Sequence, residues 1–249
     1  YYGTWAKDHR QGQGSFTTPD GFKYEGSWVA GKMEGTGSIT YPDGSVYIGA
    51  MKADQPQGQG AITYPDGSTY QGNWVAGVIE GAGRATYKDG RVYEGAFKQA
   101  KPEGKGVMTY PDGYRYEGDW VAGERQGAGS AVYPDGSLYK GDFKAGLRDG
   151  QGEFSTTDGF KYVGAWVAGQ IEGQGVATYP EGDVYEGLFK AGRREGQGKL
   201  TYASGEVAEG IWQNGILTAP PEAPPAPAEG ETPAAPTEGT APAEPATTP

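Results

Sequence analysis

Tyr24-Glu25-Gly26-Ser27-Trp28 decides the fold, because the chain writes this stretch again every 23 residues. Its Tyr returns at Tyr1, Tyr47, Tyr70, Tyr93, Tyr116, Tyr139, Tyr162 and Tyr185, and a Gly always follows two places later. Two places beyond the Gly stands a large apolar residue: Trp5, Trp28, Met51, Trp74, Phe97, Trp120, Phe143, Trp166 or Phe189. A tenth, decayed copy keeps Gly210 and Trp212 but has Ala208 at the Tyr place. A fixed period of this length defines a repeat architecture, in which each unit packs on its neighbours instead of on one central core.

The unit Ser45–Gly67 shows what one period builds. Along Ser45–Met51, Tyr47, Gly49 and Met51 alternate with Val46, Ile48 and Ala50, the period of two that marks a β-strand. A loop over Lys52–Gln57 is expected next, then Gly58-Gln59-Gly60 opening a second strand with Gly60, Ile62 and Tyr64 on one face. Tyr64-Pro65-Asp66-Gly67 closes the unit as a type I turn with a Gly bulge, since Pro presets φ, Asp suits the next position and Gly accepts positive φ. Each unit is therefore two antiparallel strands with one tight turn and one looser loop. No helical period appears in the repeats. The expected fold is all-β: an elongated, single-layer antiparallel hairpin ribbon of nine to ten repeats, on the order of 80–90 Å long at about 4.8 Å per strand.

The glycines are phased to the repeat. Turn glycines such as Gly44 and Gly67 supply positive φ, whereas Gly35, Gly37, Gly58 and Gly60 interrupt a strand and need another reason. The expected reason is space, with Trp28 lying flat on bare backbone opposite Gly35 or Gly37. A phosphate loop would need a helix after the glycines, and none follows. The aromatic layer is assigned to Tyr24, Trp28, Tyr47, Tyr70, Trp74, Tyr93, Phe97, Tyr116, Trp120, Tyr139, Phe143, Tyr162, Trp166, Tyr185, Phe189 and Trp212. Within it, Trp74, Trp120 and Trp166 go with Ala85, Ala131 and Ala177 eleven residues later, while Phe97, Phe143 and Phe189 go with Met108, Phe154 and Leu200. That reciprocity predicts a shared packing site of constant volume. The opposite face carries small polar residues, among them Thr40, Thr63, Thr86 and Thr109.

Composition narrows the function classes. A net charge of −11 argues against nucleic acid and against bulk anionic membrane as main partner, since both require a cationic surface. With 0 Cys there is no disulfide framework or thiolate metal site. The repeat register spans 1–215, and 216–249, rich in Pro, Ala, Glu and Thr, is expected to be a disordered acidic tail. The chain starts inside a repeat without an initiator Met, as a fragment or a processed form would. Its tail resembles spacers of exported proteins, but no address is assigned.

The order Tyr-x-Gly-x-Trp, a connection, Gly-x-Gly, then Asp-Gly before the next Tyr resembles the MORN (membrane occupation and recognition nexus) repeat, from Tyr1 to about Gly215. Met51, Thr18, Thr156 and Ala208 depart from the pattern. The resemblance implies a single-layer β-sheet that scaffolds proteins or self-associates, and for some members a phospholipid role. Such repeats also occur beside lipid-kinase domains, so a kinase label on a repeat-only chain would reflect repeat similarity. No kinase signature is present.

Chemistry is sparse. His9 has no second imidazole or thiol to complete a metal site, and each turn Asp is a single carboxylate where Ca²⁺ wants six to eight oxygens. One pattern stands out: Glu34, Glu80, Glu103, Asp149, Glu172 and Glu195 precede the first Gly of Gly-x-Gly, forming an acidic row. It is either a solubilising rim or a stripe that docks a basic partner. The expected function is a non-enzymatic protein-interaction scaffold, able to self-associate as a homo-oligomer, without cofactor. The alternatives are a peripheral phospholipid binder and a surface carbohydrate- or wall-binding module.

Overall fold

The computed structural model describes residues 1–219, and the segment from 220 onward, most of the expected disordered tail, lies outside the described residues. Among the described residues every element is a strand. The chain opens with β1 (Tyr2–Ala6) and β2 (His9–Thr17), followed by β3 (Lys23–Val29), β4 (Lys32–Thr40), β5 (Val46–Lys52) and β6 (Gln55–Thr63). The pairing of a seven-residue with a nine-residue strand recurs up to β19 (Val207–Gln213), which pairs with a short β20 (Ile216–Ala219). Each strand pairs antiparallel with the next, giving one 20-stranded open meander. The sheet thus runs four residues past the boundary expected at 215. Neighbour-only pairing makes it a one-dimensional array.

The connection expected to be a loose loop over Lys52–Gln57 is instead a two-residue hairpin turn. Ala53 and Asp54 have φ of 48° and 70°, and β5 and β6 pair directly on either side, Lys52 with Gln55 and Met51 with Pro56. Ala30-Gly31, Ala76-Gly77, Ala122-Gly123 and Ala168-Gly169 repeat the geometry, both residues at positive φ as a type I′ turn requires. These turns are stacked: the Gly77 N–H donates to the Pro56 carbonyl at 2.9 Å, and the Gly123 N–H to the Pro102 carbonyl at 2.9 Å. The other turn is as expected. The Gly44 N–H donates to the Tyr41 carbonyl at 2.9 Å, the Tyr41 N–H to the Ser45 carbonyl at 2.8 Å, and Gly44 has φ 89°.

The tight turn resets the register. Because Val29 must face Lys32, Trp28 faces Met33 on its own hairpin and Gly12 on the preceding one, not Gly35 or Gly37 as expected. Gly35 lies opposite Met51, at a bulge where its φ is +73°. The bulge then brings Gly37 opposite both Gly26 and Gly49.

The side chain resting on this bare strip is Tyr, not Trp. A Cβ on Gly37 would collide with the Tyr24 ring, and one on Gly26 would meet the Gly37 Cα at 2.6 Å. The Tyr24 hydroxyl lies down along the sheet and donates to the Ser27 carbonyl at 2.9 Å. Tyr47, Tyr70, Tyr93, Tyr116, Tyr139, Tyr162 and Tyr185 do the same to the carbonyl three residues on. A ring lying flat lets a single sheet bury a tyrosine completely.

Candidate interaction surfaces

The large residues close this layer from above. Trp120 stands edge-on between two tyrosines, 5.4 Å from the Tyr93 centroid and 5.2 Å from Tyr116, both near perpendicular. Phe143 bridges Tyr116 and Tyr139 in the same way, as do Trp74, Phe97, Trp166 and Phe189 with their own flanking tyrosines. Such edge-to-face pairs contribute about 0.5–1.5 kcal/mol each beyond burial. Each indole also ties its unit to the preceding one. Trp28, Trp74, Trp120, Trp166 and Trp212 donate their Nε1–H to the carbonyls of Gly14, Gly60, Gly106, Gly152 and Gly198 at 2.9–3.3 Å.

The expected volume compensation takes another form. Trp74 and Ala85 both lie in the buried layer, but the ring contacts that a Trp makes with that position come from the preceding unit, twelve residues earlier. Phe16 meets Trp28 and Phe154 meets Trp166, each at 6.2 Å. Large residues therefore adjoin Trp instead of offsetting it. The bulge and tight turn lean each Trp backwards, toward the unit before it.

All sixteen residues assigned to the aromatic layer are buried there, from Tyr24 at 0 % exposure to Trp74 and Phe189 at 5 %. Burial pushes the hydroxyls of the eight flat tyrosines, Tyr24 to Tyr185, up to about 12. A surface that stacks sugars needs open indole faces, and five of the six Trp are closed; Trp5, on the edge strand β1, is exposed.

The acidic row has a local partner. Glu34, Glu80, Glu103, Asp149, Glu172 and Glu195 each accept a hydrogen bond from a turn N–H nineteen residues on, at 2.8–3.0 Å. Gln11, Gln57 and Gln126 occupy the same place in other units and accept equally, from Ala30, Ala76 and Ala145. Only an oxygen acceptor is common to Glu, Asp and Gln, and that shared property was the overlooked signal in the sequence. The row caps the I′ turns and ladders them together.

At the other edge, turn carboxylates are held below the usual carboxylate range by hydrogen bonds that favour their charged form. Asp66 is lowered first by the Ser68 hydroxyl and then by the Ser68 N–H, and Asp89 first by the Arg91 N–H. Where Thr18 and Thr156 replace the turn Tyr, their hydroxyls donate to Asp20 and Asp158. Among the described residues no group of three or more His, Cys, Asp or Glu could hold a metal.

The opposite face is open and variable. A central row crosses the strands through Glu117, Ser130, Lys140, Glu153, Val163, Val176, Glu186 and Lys199, each paired with the next. Apolar residues on this face are exposed, Ile48 at 62 % and Val163 at 45 %. A shallow depression of about 570 Å³ lies over Val163, Val176, Glu186 and Lys199. Ion pairs such as Arg84–Glu94 at 2.7 Å and Lys105–Asp119 at 2.7 Å decorate this face.

These features define a class: a single-layer hairpin-repeat sheet, sealed on one face by its own aromatic side chains and open on the other. Nine MORN repeat matches cover residues 1–23, 24–46, 47–69, 70–90, 93–113, 116–138, 139–160, 162–184 and 185–207, and the chain belongs to the MORN repeat family. No curated protein matches it. Among solved structures it is similar to the TCP domain of Drosophila melanogaster SAS-4 (dCPAP) in complex with a proline rich motif of Ana2 (dSTIL), at 14 % identity and TM-score 0.37. That match covers 80 % of this chain and 90 % of the other. It is also similar to the TCP10 domain of Danio rerio CPAP, at 17 % identity and TM-score 0.32, covering 84 % of this chain and 100 % of that one. Likeness at these scores says nothing of function.

Proposed function

We propose that this chain is a non-enzymatic scaffold that binds protein through the open face of its repeat sheet. The observation that carries the proposal is the contrast between the faces. What is invariant in the repeat is consumed by the aromatic layer and the turns, while exposed apolar residues and mixed charges vary from unit to unit on the other side. An extended surface of exposed Val and Ile beside charges offers an apolar centre with a polar rim, as protein interfaces do. Neither the family nor the side-chain arrangement points to an enzyme. A phospholipid role fits less well, because a net charge of −11 opposes anionic headgroups.

Two measurements test this. Double substitution Val163→Glu with Val176→Glu should abolish capture of the partners retained by the native chain, and unchanged capture would refute the open face as the docking surface. Co-sedimentation with anionic vesicles at physiological salt should leave the chain in the supernatant, and robust pelleting would favour the membrane role instead. For the acidic row, binding of a basic partner should then be insensitive to Glu80→Gln and Glu103→Gln, since Gln caps the turns equally in other units. Self-association through the outer edges of β1 and β20, which pair with no further strand among the described residues, would show as concentration-dependent mass in sedimentation equilibrium.

A further inference from the structure

One stretch of the aromatic face departs from the rest. At the turn Tyr and the position four residues on, other units carry Tyr with a non-aromatic residue, as in Tyr41/Ser45, or Thr with Phe, as in Thr18/Phe22. Only one unit carries aromatics at both, Tyr110 and Tyr114. With Tyr133 of the next unit they form a contiguous patch, Tyr114 lying 5.1 Å from Tyr110 and 5.3 Å from Tyr133. The three rings are half-buried and line a groove of about 410 Å³ that crosses the sheet to Arg125 and Arg148, with Phe143 between.

The two guanidiniums are underused. Arg125 donates to the Tyr114 hydroxyl and, at 2.6 Å, to the Gly146 carbonyl, while Arg148 donates to the Gly169 carbonyl at 2.8 Å and stacks over Trp166 at 4.2 Å. Among the described residues neither forms an ion pair with a carboxylate. Each guanidinium carries five N–H donors, so both keep capacity for an anion. Asp112, at the groove rim, accepts from the Tyr114 N–H at 2.9 Å within its own turn. The groove therefore joins an aromatic trough to two cations, in a chain whose net charge is −11.

An aromatic trough takes up proline, whose rings pack on Tyr faces at little entropic cost, and free guanidiniums take up carboxylates. The chain contains one segment with that chemistry. Residues 220–249 hold ten Pro and five Glu, with no aromatic or basic residue. Thirty residues reach at most about 100 Å at roughly 3.3–3.6 Å each. Nine strand spacings, from β20 back to the strand Arg115–Val121 beside Tyr114, amount to roughly 43 Å at about 4.8 Å each.

We propose that the Tyr110–Tyr114–Tyr133 groove, with Arg125 and Arg148 at its far end, is an intramolecular docking site for the proline-rich acidic segment 220–249 of the same chain. Glu side chains of the segment meet the two guanidiniums while its prolines lie on the tyrosines. This is independent of partner binding on the open face, which lies on the other side of the sheet.

The absence of cysteine allows a direct test on the full chain. A nitroxide attached at Thr237→Cys should broaden the amide resonances of Tyr114, Arg125 and Phe143 in dilute solution. The broadening should be lost in the triple variant Tyr114→Ser, Arg125→Ile, Arg148→Ile, whose replacements occupy equivalent places in other units as Ser45, Ser137, Ile79 and Ile171. Preserved, dispersed amide resonances of the unsubstituted residues in the strands flanking these sites would show that the sheet persists there. Glu222→Gln with Glu229→Gln and Glu231→Gln should reduce the broadening without touching the sheet, and added salt should do the same. Broadening confined to units nine and ten, broadening that survives both sets of substitutions, or broadening only between separate molecules mixed with and without the label would each overturn the intramolecular site.

Discussion

The two faces of the sheet obey different rules although they share every strand. On the aromatic face, Tyr93, Phe97, Gly95 and Gly106 form a closed set in which a tyrosine lies on two glycines and a ring stands over it. On the open face of the same strands, Glu94 is exposed and Ala96 and Val107 are only half-buried. Strictness follows contact: where a methyl group has nowhere to go the residue is always Gly, and where it meets water almost anything serves. The rings that look like a motif in the sequence are thus the ones least available to a partner.

The largest break in that contrast should come from a single methyl. Gly106→Ala places a Cβ into the Tyr93 ring and should destabilise by about 3 kcal/mol, at the upper end of overpacking effects, while Val107→Thr next to it should stay within about 0.5 kcal/mol. Equal losses in urea unfolding would dissolve the distinction between the faces. A smaller effect is expected at the turn ladder. Glu103→Leu removes the acceptor of the Ala122 N–H and should cost about 1 kcal/mol, whereas Glu103→Gln should cost almost nothing. A loss on Glu103→Gln as large as on Glu103→Leu would mean that charge, not an oxygen, is what the position needs. The smallest is on the open face: Arg84→Gln breaks the exposed 2.7 Å pair with Glu94 and should shift stability by less than about 0.5 kcal/mol.

How far the fold could be read beforehand depended on how local each determinant is. The period, the two strands per unit and the Tyr-Pro-Asp-Gly turn rest on neighbouring residues, and all are present. The register was not legible, because Ala53-Asp54, Gln99-Ala100 and Lys7-Asp8 do not announce a type I′ turn as Asn-Gly does, yet all hold positive φ. A loop two residues long instead of six moves Trp28 from Gly35 to Gly12, and with it the identity of the ring that lies on glycine. The capping role of the acidic row was hidden for a related reason. Its hydrogen bonds span nineteen residues to the next unit, so the equivalence of Glu34 with Gln57 shows only once the turns are stacked. The groove at Tyr114 was visible in the sequence only as one Tyr in a place where Ser is common.

Tyrosine ionisation tests most directly whether the aromatic face is spent on the fold. Tyr24, Tyr47, Tyr70, Tyr93, Tyr116, Tyr139, Tyr162 and Tyr185 are pushed up to about 12 by burial, against an ordinary value of 10.0. Between these values the folded chain keeps protons that the unfolded chain releases. The stabilisation is full below about pH 10 and is lost as pH rises toward 12, by about 1.4 kcal/mol per unit for each tyrosine. Ultraviolet absorbance, followed together with the sheet's circular dichroism, should show these eight ionising only as the sheet melts, well above pH 10. Ionisation of these eight near pH 10 with the sheet intact would contradict a sealed aromatic layer.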